Sequence, residues 1–246
     1  MNEKLLDLYN KYWPDLVSNA VRLSNESDKR KPSHPLLIRV NDKYENAKIK
    51  VMIVGQETDG WCESMIGSER SPDGIANIYF NYFYETTKKA AKAKNKRPFW
   101  NKSNFKYFKD ALEKELGSDN VGFVWNNLSK IGKNSRGATT KKINKLEEES
   151  FSVHIQELDI LKPDVIIFNT GSDRDYLLKQ RFNVTLSNTH YADTKKEVAK
   201  VGFSGKHENI ISFRTFHPNA RAYVKTRRAR NTYIIKQVIE SIKMIG

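Results

Sequence analysis

The chain has 246 residues, 38% of them hydrophobic, which is enough for one sizeable domain with a buried core. Its 43 Lys and Arg outweigh 29 Asp and Glu, for a formal net charge of +14, a balance that suits a polyanionic partner or simply a soluble surface, with position deciding between them. The single cysteine, Cys62, excludes internal disulfides, a cysteine-built zinc site and an all-cysteine iron–sulfur cluster.

No apolar run approaches the roughly 18 residues that a membrane span needs. The opening "MNEKLLDLYNKYW" mixes acids and bases and reads as neither a secretory nor an organellar signal. The expectation is a bacterial-type cytoplasmic or nucleoid-associated protein, a monomer with no membrane partner, no metal and no cofactor.

In chain order, residues 4–23 read as an amphipathic helix with Pro14 as a potential kink, the main part of an N-terminal helical extension over about 1–45. "KIKVMIV", 48–54, is a strand. Residues 75–95 read as a helix rich in aromatics, from Tyr79 to Tyr84, followed by a helix over 103–116 between a serine cap and Gly117. "VGFVWNNLSK" reads as a short strand that breaks at Asn126, and 144–161 as one helix stopped by Pro163. "DVIIFNTG" is a buried strand with a short helix after it. The alternating "FNVTLSNTHY" within 181–207 suggests an antiparallel excursion. "NIISFRTF" is a fourth core strand, and 221–244 the closing helix. Strands alternating with helices indicate a single α/β domain over 1–246, a three-layer sandwich whose central, mainly parallel four-stranded sheet is flanked by helices. Ligands of such sheets bind outside the carboxyl ends of the strands, which here carry Gly55–Gly60, Asn126–Asn127, Asn169–Gly171 and Thr215–Asn219.

The stretch "VGQETDGWC" tests three readings. It has glycines at the interval of a phosphate-binding loop, but Trp61 and Cys62 stand where Lys and Ser or Thr are required, and two acids would repel phosphate. A plain turn is ordinary chemistry for Gly and Asp after a strand. Against that stand Glu57, Asn126 and His217 on three separate strand ends of a basic protein, where His217 alone would read as a packed histidine and Asn126 alone as a turn cap. Two basic stretches, "KKAAKAKNKR" (88–97) and "RAYVKTRRAR" (221–230), each read alone as a solvated helix face; together, one of them abutting His217, they favour a polyanion.

On these residues the chain resembles the uracil-DNA glycosylase superfamily. "GQETD" resembles its first motif with Glu57 at the acid position, "FVWNNLSK" its middle motif with Asn126, and "FHPNARAY" its last with His217; "LKPDVIIFNTG" is similar to its third core strand. The likeness runs in order over roughly 48–242. It departs from the family in having glutamate for aspartate, Thr58 for proline, Asp59 where uracil-specific members carry an aromatic wall, and no cluster cysteines.

The resemblance implies a monofunctional DNA glycosylase that leaves an abasic site. Glu57 would stabilise the cationic sugar and orient water, and a neutral His217 would donate to the base oxygen. Asn126 would read the base edge with Gln56 beside the acid, and Trp61 or Tyr79 would stack on the flipped base, although core packing is the commoner fate of such rings. Arg221 would wedge into the vacated stack, while Lys225, Arg227, Arg228 and Arg230 would hold phosphates. The open Asp59 position points to a pyrimidine enlarged at C5, such as hydroxymethylated or glucosylated cytosine, and to defence against phage carrying it, with uracil repair as the competing role. The alternative is a catalytically inactive DNA-binding protein or modified-DNA sensor on the same fold, and, further off, a nucleoside-processing α/β hydrolase.

Overall fold

The computed structural model describes residues 1–25, 31–58, 60–67, 70–85, 87, 90–92, 99–100, 104–135, 138–191, 196–218, 220 and 226–245. Asp59, Arg221, Lys225, the Ser103 cap and most of the 88–97 basic stretch lie outside the described residues.

By its contacts the chain forms two compact units: Met1–Asn41, Gln56–Glu85 and Asn126–Leu161 make unit 1, and Asp42–Gly55, Thr86–Trp125 and Lys162–Gly246 make unit 2. Unit 1 opens with helix α1, Asn2–Asn25, whose Leu5, Tyr9, Leu16 and Ala20 are buried on one face at helical spacing. The carboxamide of Asn2 takes both backbone groups of Val40, receiving the Val40 N–H and donating to its carbonyl, each at 2.9 Å. These bonds hold the two ends of the Met1–Asn41 segment together. Strand β1, Pro32–Pro35, belongs to the same unit and is buried along its length.

Unit 2 begins with the short helix α2, Asp42–Asn46, and strand β2, Ile49–Glu57, whose last two residues already count with unit 1. Helix α3, Pro72–Phe83, belongs to unit 1. It starts where Ser71 accepts the Gly74 N–H at 3.2 Å and Pro72 takes the first turn. It stops at Phe83, well short of the expected 95. Helix α4, Phe105–Leu116, buries Phe105, Phe108 and Leu112 and ends at Gly117. Its N-cap position is Asn104, with no side-chain cap bond.

Strand β3, Val121–Ser129, is buried along its whole length and does not break at Asn126. Strand β4, Ile131–Lys133, pairs antiparallel with β1. The single helix expected over 144–161 is two, α5 (Lys141–Ser150) and α6 (His154–Leu161). Thr140 caps α5 by accepting the Ile143 N–H at 3.3 Å. Between the helices the buried Phe151 and Val153 leave helical geometry, Phe151 at φ −149°.

The remaining elements all lie in unit 2: β5 (Val165–Asn169), α7 (Asp175–Phe182), β6 (Thr185–Asn188), β7 (Val198–Gly202), β8 (Ile211–Thr215) and α8 (Arg227–Ile245). The sheet has the order β3-β2-β5-β8-β7-β6. β2, β5 and β8 run parallel, with Val54 beside Phe168 and Phe168 beside Arg214. β7 and β6 are antiparallel additions on the β8 side. The protein is therefore α/β with a mixed six-stranded sheet, which corrects the expected four-stranded, mainly parallel one. The two extra strands are the antiparallel excursion of 181–207, extending the sheet past β8. Helix α8 begins at Arg227, later than expected, and buries Ile234, Ile235 and Val238, leaving Ile239 and Ile242 half-buried.

Buried aliphatics fill the centre of this sheet: Val51–Val54, Val165–Phe168 and Phe213 are at most 5% exposed. Their transfer from water is the main force holding these strands together. Arg214 of β8 is also fully buried. Its guanidinium clasps the Asp175 carboxylate at 2.9 and 3.0 Å and donates to the Lys196 carbonyl at 2.8 Å, so the charge is compensated. Among the described residues no helix is long and apolar enough to cross a membrane.

Candidate functional site

Unit 1 carries Gln56, Glu57, Trp61, Tyr79 and Asn126 of the expected set; unit 2 carries His217, Arg227, Arg228 and Arg230.

In unit 1, β2 continues through the motif glycine, so Gln56 and Glu57 are the last strand residues rather than a loop. Both are half-buried. Glu57 Oε2 accepts from the backbone N–H and from the hydroxyl of Thr139, just before the Thr140 cap of α5. A carboxylate held by two donors from one residue has a fixed direction. Thr58 follows, buried, against β4: a Cβ at Gly132 would stand 2.4 Å from both the carbonyl and hydroxyl oxygens of Thr58. Only glycine fits there, and its smallness lets the motif backbone lie directly on β4. Beyond it Trp61 meets Tyr82 edge to face at 5.4 Å and remains half-buried. Tyr79 is fully buried and tilted against Phe83 at 5.7 Å, so its ring is core, not a surface on which a base could stack.

The same turn is anchored from the other side. Cys62 and Glu63 both have left-handed backbone, φ 52° and 67°, which costs a side-chain-bearing residue conformational energy. His34 steadies the pair. Its backbone N–H donates to the Glu63 carbonyl at 3.1 Å and its Nδ1–H to the Cys62 carbonyl at 2.6 Å. Burial lowers the His34 pKa, in keeping with a neutral ring. Burial also pushes the Cys62 thiol up to about 12, so it is a poor nucleophile.

Asn126 is fully buried in a polar network. Its Nδ2 donates to Glu157 Oε2 at 3.0 Å, and its Oδ1 receives the Lys130 ammonium at 2.7 Å and the Asn127 N–H at 2.8 Å. Lys130 also reaches Glu157 Oε1 at 2.9 Å, where the Tyr9 hydroxyl donates at 2.7 Å. Tyr9 in turn accepts the Ile38 N–H at 3.0 Å. A second carboxylate, Glu147, receives the backbone N–H groups of Lys130 and Ile131 at 3.1 and 3.0 Å, where β3 turns into β4. Burial lowers the Lys130 pKa while Glu157 opposes it; burial and then the Glu157 charge raise that of Tyr9. The amide expected to read a base thus has partners within the chain. In this structure the amide is spent on Lys130 and Glu157.

In unit 2 the parallel strands β5 and β8 end side by side, at Asn169 and Thr215. His217 is two residues past β8 and half-buried. Burial lowers its pKa to about 4, with Asp173 opposing and Arg174 and Arg227 assisting, so the imidazole is neutral at pH 7. The His217 carbonyl accepts the Ala220 N–H at 2.9 Å, closing the turn that follows. Arg227 is half-buried and donates to the Pro218 carbonyl, while Arg228 is exposed. Arg230 differs. It is 2% exposed, 3.4 Å from Glu197, bonded to Thr226 and laid over Phe216 at 5.0 Å. Expected among the phosphate contacts, it lies in the interior, its guanidinium shared among an acid, a hydroxyl and a ring.

The reading from sequence missed Thr139, His34, Lys130 and Glu157. "ATTKK" carried a visible cap signal for Thr140, and the lysine of "NNLSK", in an otherwise buried strand, was a signal that an acid must lie nearby. Nothing in "KPSHP" marks His34 as a clamp. Among the described residues no group of three or more His, Cys, Asp or Glu side chains is arranged to hold a metal ion. Compared with known proteins, the chain matches no family model and no curated sequence.

Proposed function

We propose that the protein is a monofunctional DNA glycosylase on a fold of uracil-DNA glycosylase type, acting on a flipped pyrimidine. The observation that carries the reading is His217, held neutral by burial just beyond the carboxyl end of β8. A neutral imidazole donates a hydrogen bond to a base oxygen as negative charge builds on it, without having to lose a proton at pH 7. The motif likeness assigns to Glu57, its carboxylate fixed by Thr139, the part of the anion that stabilises the cationic sugar and orients water. The glycosidic bond breaks with its electron pair on the base, water adds at the sugar carbon, and the proton released by water balances the charge on the departing base. Arg227 and Arg228 supply phosphate contacts. On the sequence ground of Asp59, the base is a pyrimidine enlarged at C5, which fits a role against phage whose DNA carries such bases; uracil repair is the competing role.

The test is incubation with DNA bearing uracil, thymine, hydroxymethylcytosine or glucosylated cytosine. Free base and an alkali-labile abasic site are expected, with no spontaneous strand incision and no trapped covalent adduct. Glu57→Gln should slow release by on the order of 10²–10³. Wild-type turnover in that variant would remove Glu57 from the mechanism. A second reading, a DNA-binding protein without catalysis, is favoured by the occupied amide of Asn126; tight DNA binding with no release from any of these substrates would establish it.

A further inference from the structure

In unit 2, β5 ends at Asn169 and β8 at Thr215, and these two residues are register partners in a parallel pair. Register partners stand on the same face of a sheet. Asn169 is 0% and Thr215 1% exposed. Neither amide atom of Asn169, nor the Thr215 hydroxyl, has a hydrogen-bond partner among the described residues. Three such atoms side by side are unusual, because interior polar groups are almost always satisfied and an unsatisfied one opposes folding.

The chain reaches the surface shortly beyond both residues. Asp173, four residues beyond Asn169, is exposed, and His217, two beyond Thr215, is half-buried. Gly171 holds the two strand ends together. Its N–H donates to the Thr215 carbonyl at 2.9 Å, at φ 79°, in a turn where a Cβ would stand 2.6 Å from Asp173 Oδ1. The polar group that these atoms lack would therefore arrive at the strand edge where α/β sheets bind ligands.

We propose that Asn169 and Thr215 form a recognition site for the polar edge of a pyrimidine base. That the ligand is a base rests on the glycosylase reading. A carboxamide presents one donor and one acceptor side by side, which is the complement of the N3–C4 edge. It donates to N3 and accepts from the amino group of a cytosine, or, turned by half a revolution, accepts from N3–H and donates to O4 of a uracil. The Thr215 hydroxyl is left for a further base oxygen. This assignment gives the protein a base reader in place of Asn126, whose amide is already engaged.

Asn169→Leu and Thr215→Val remove the unsatisfied atoms at nearly constant shape. Neither should lower Tm, because no bond within the chain is lost. The ¹⁵N-labelled side-chain amide of Asn169, assigned by its disappearance in Asn169→Leu, is followed while free cytosine, 5-hydroxymethylcytosine, uracil and thymine are added in turn. At least one base should shift that resonance, and Asn169→Leu should weaken its binding by about tenfold or more. Base release from DNA, measured as kcat/KM, should fall by a similar factor. An amide unmoved by all four bases overturns the site; so does a lower Tm in Asn169→Leu, which would show the amide already satisfied by internal water. Undiminished base release in Asn169→Leu also overturns it while leaving the glycosylase reading intact. Base binding at Asn169 without base release from DNA supports the site and overturns the catalytic reading instead.

Discussion

His217 shows how one side chain joins site chemistry to stability. In the unfolded chain an imidazole takes up a proton as the pH falls through about 6.5; in the fold it does so only near 4, because burial penalises the charged form. Between those values the unfolded chain binds more protons, so stability falls as pH drops through this window and is unaffected by this group above it. His217→Gln should therefore lose less stability than the wild type between pH 7 and 4.5, measured by urea unfolding at several pH values. Equal losses in both would show that the ring is not shielded. The left-handed pair Cys62–Glu63 is the opposite case, a local cost carried by the bonds of His34. Such residue-level features were the least legible in the sequence. Glu57 and His217 stand out in the sequence because they follow apolar runs, but nothing in a string of letters says that the amide of Asn126 is engaged by Lys130 and Glu157, or that Asn169 is left unsatisfied.

At the level of elements, the sequence was more informative. β2, β5 and β8 were readable as short β-branched runs ending in polar residues, and β6 within an alternating stretch; β7, and the attachment of both to the same sheet, were not, since register is decided by distant partners. The expected break at Asn126 failed for a physical reason. Polar letters normally end a buried strand, but here a buried acid and lysine satisfy the asparagine, and the strand runs on. Helix α8 makes a sharper test of what a basic cluster does. Arg228 is exposed and Arg230 interior, two residues apart. Arg228→Ala should leave Tm unchanged while lowering the slope of log affinity for DNA against log salt by roughly 0.7–0.9. Arg230→Ala should do the reverse, losing on the order of 3 kcal/mol of stability as Glu197 and Phe216 lose their partner, with the salt slope retained. If the two variants behave alike, the division of the cluster is mistaken.

For the molecule as a whole, neither compact unit is a continuous stretch of chain; each is assembled from three segments. A fragment ending at Leu161 holds all of unit 1 but lacks β5, the neighbour of β2, and with it β6, β7 and β8. It should show no cooperative thermal transition by circular dichroism and should aggregate through the edge of β2 that β5 no longer covers. A sharp transition in the soluble fragment would mean that unit 1 stands without the sheet. The same segment order sets a timetable on the ribosome. Val51 pairs with Val165, more than a hundred residues later. At about 5–20 residues per second, "VMIV" waits on the order of 10 s for its partner after it is made. During that interval the nascent chain presents the open edge of a sticky, β-forming segment to every other chain nearby, so yield in the cell should depend on holding chaperones, and fall as translation slows, far more than the finished protein's stability would suggest.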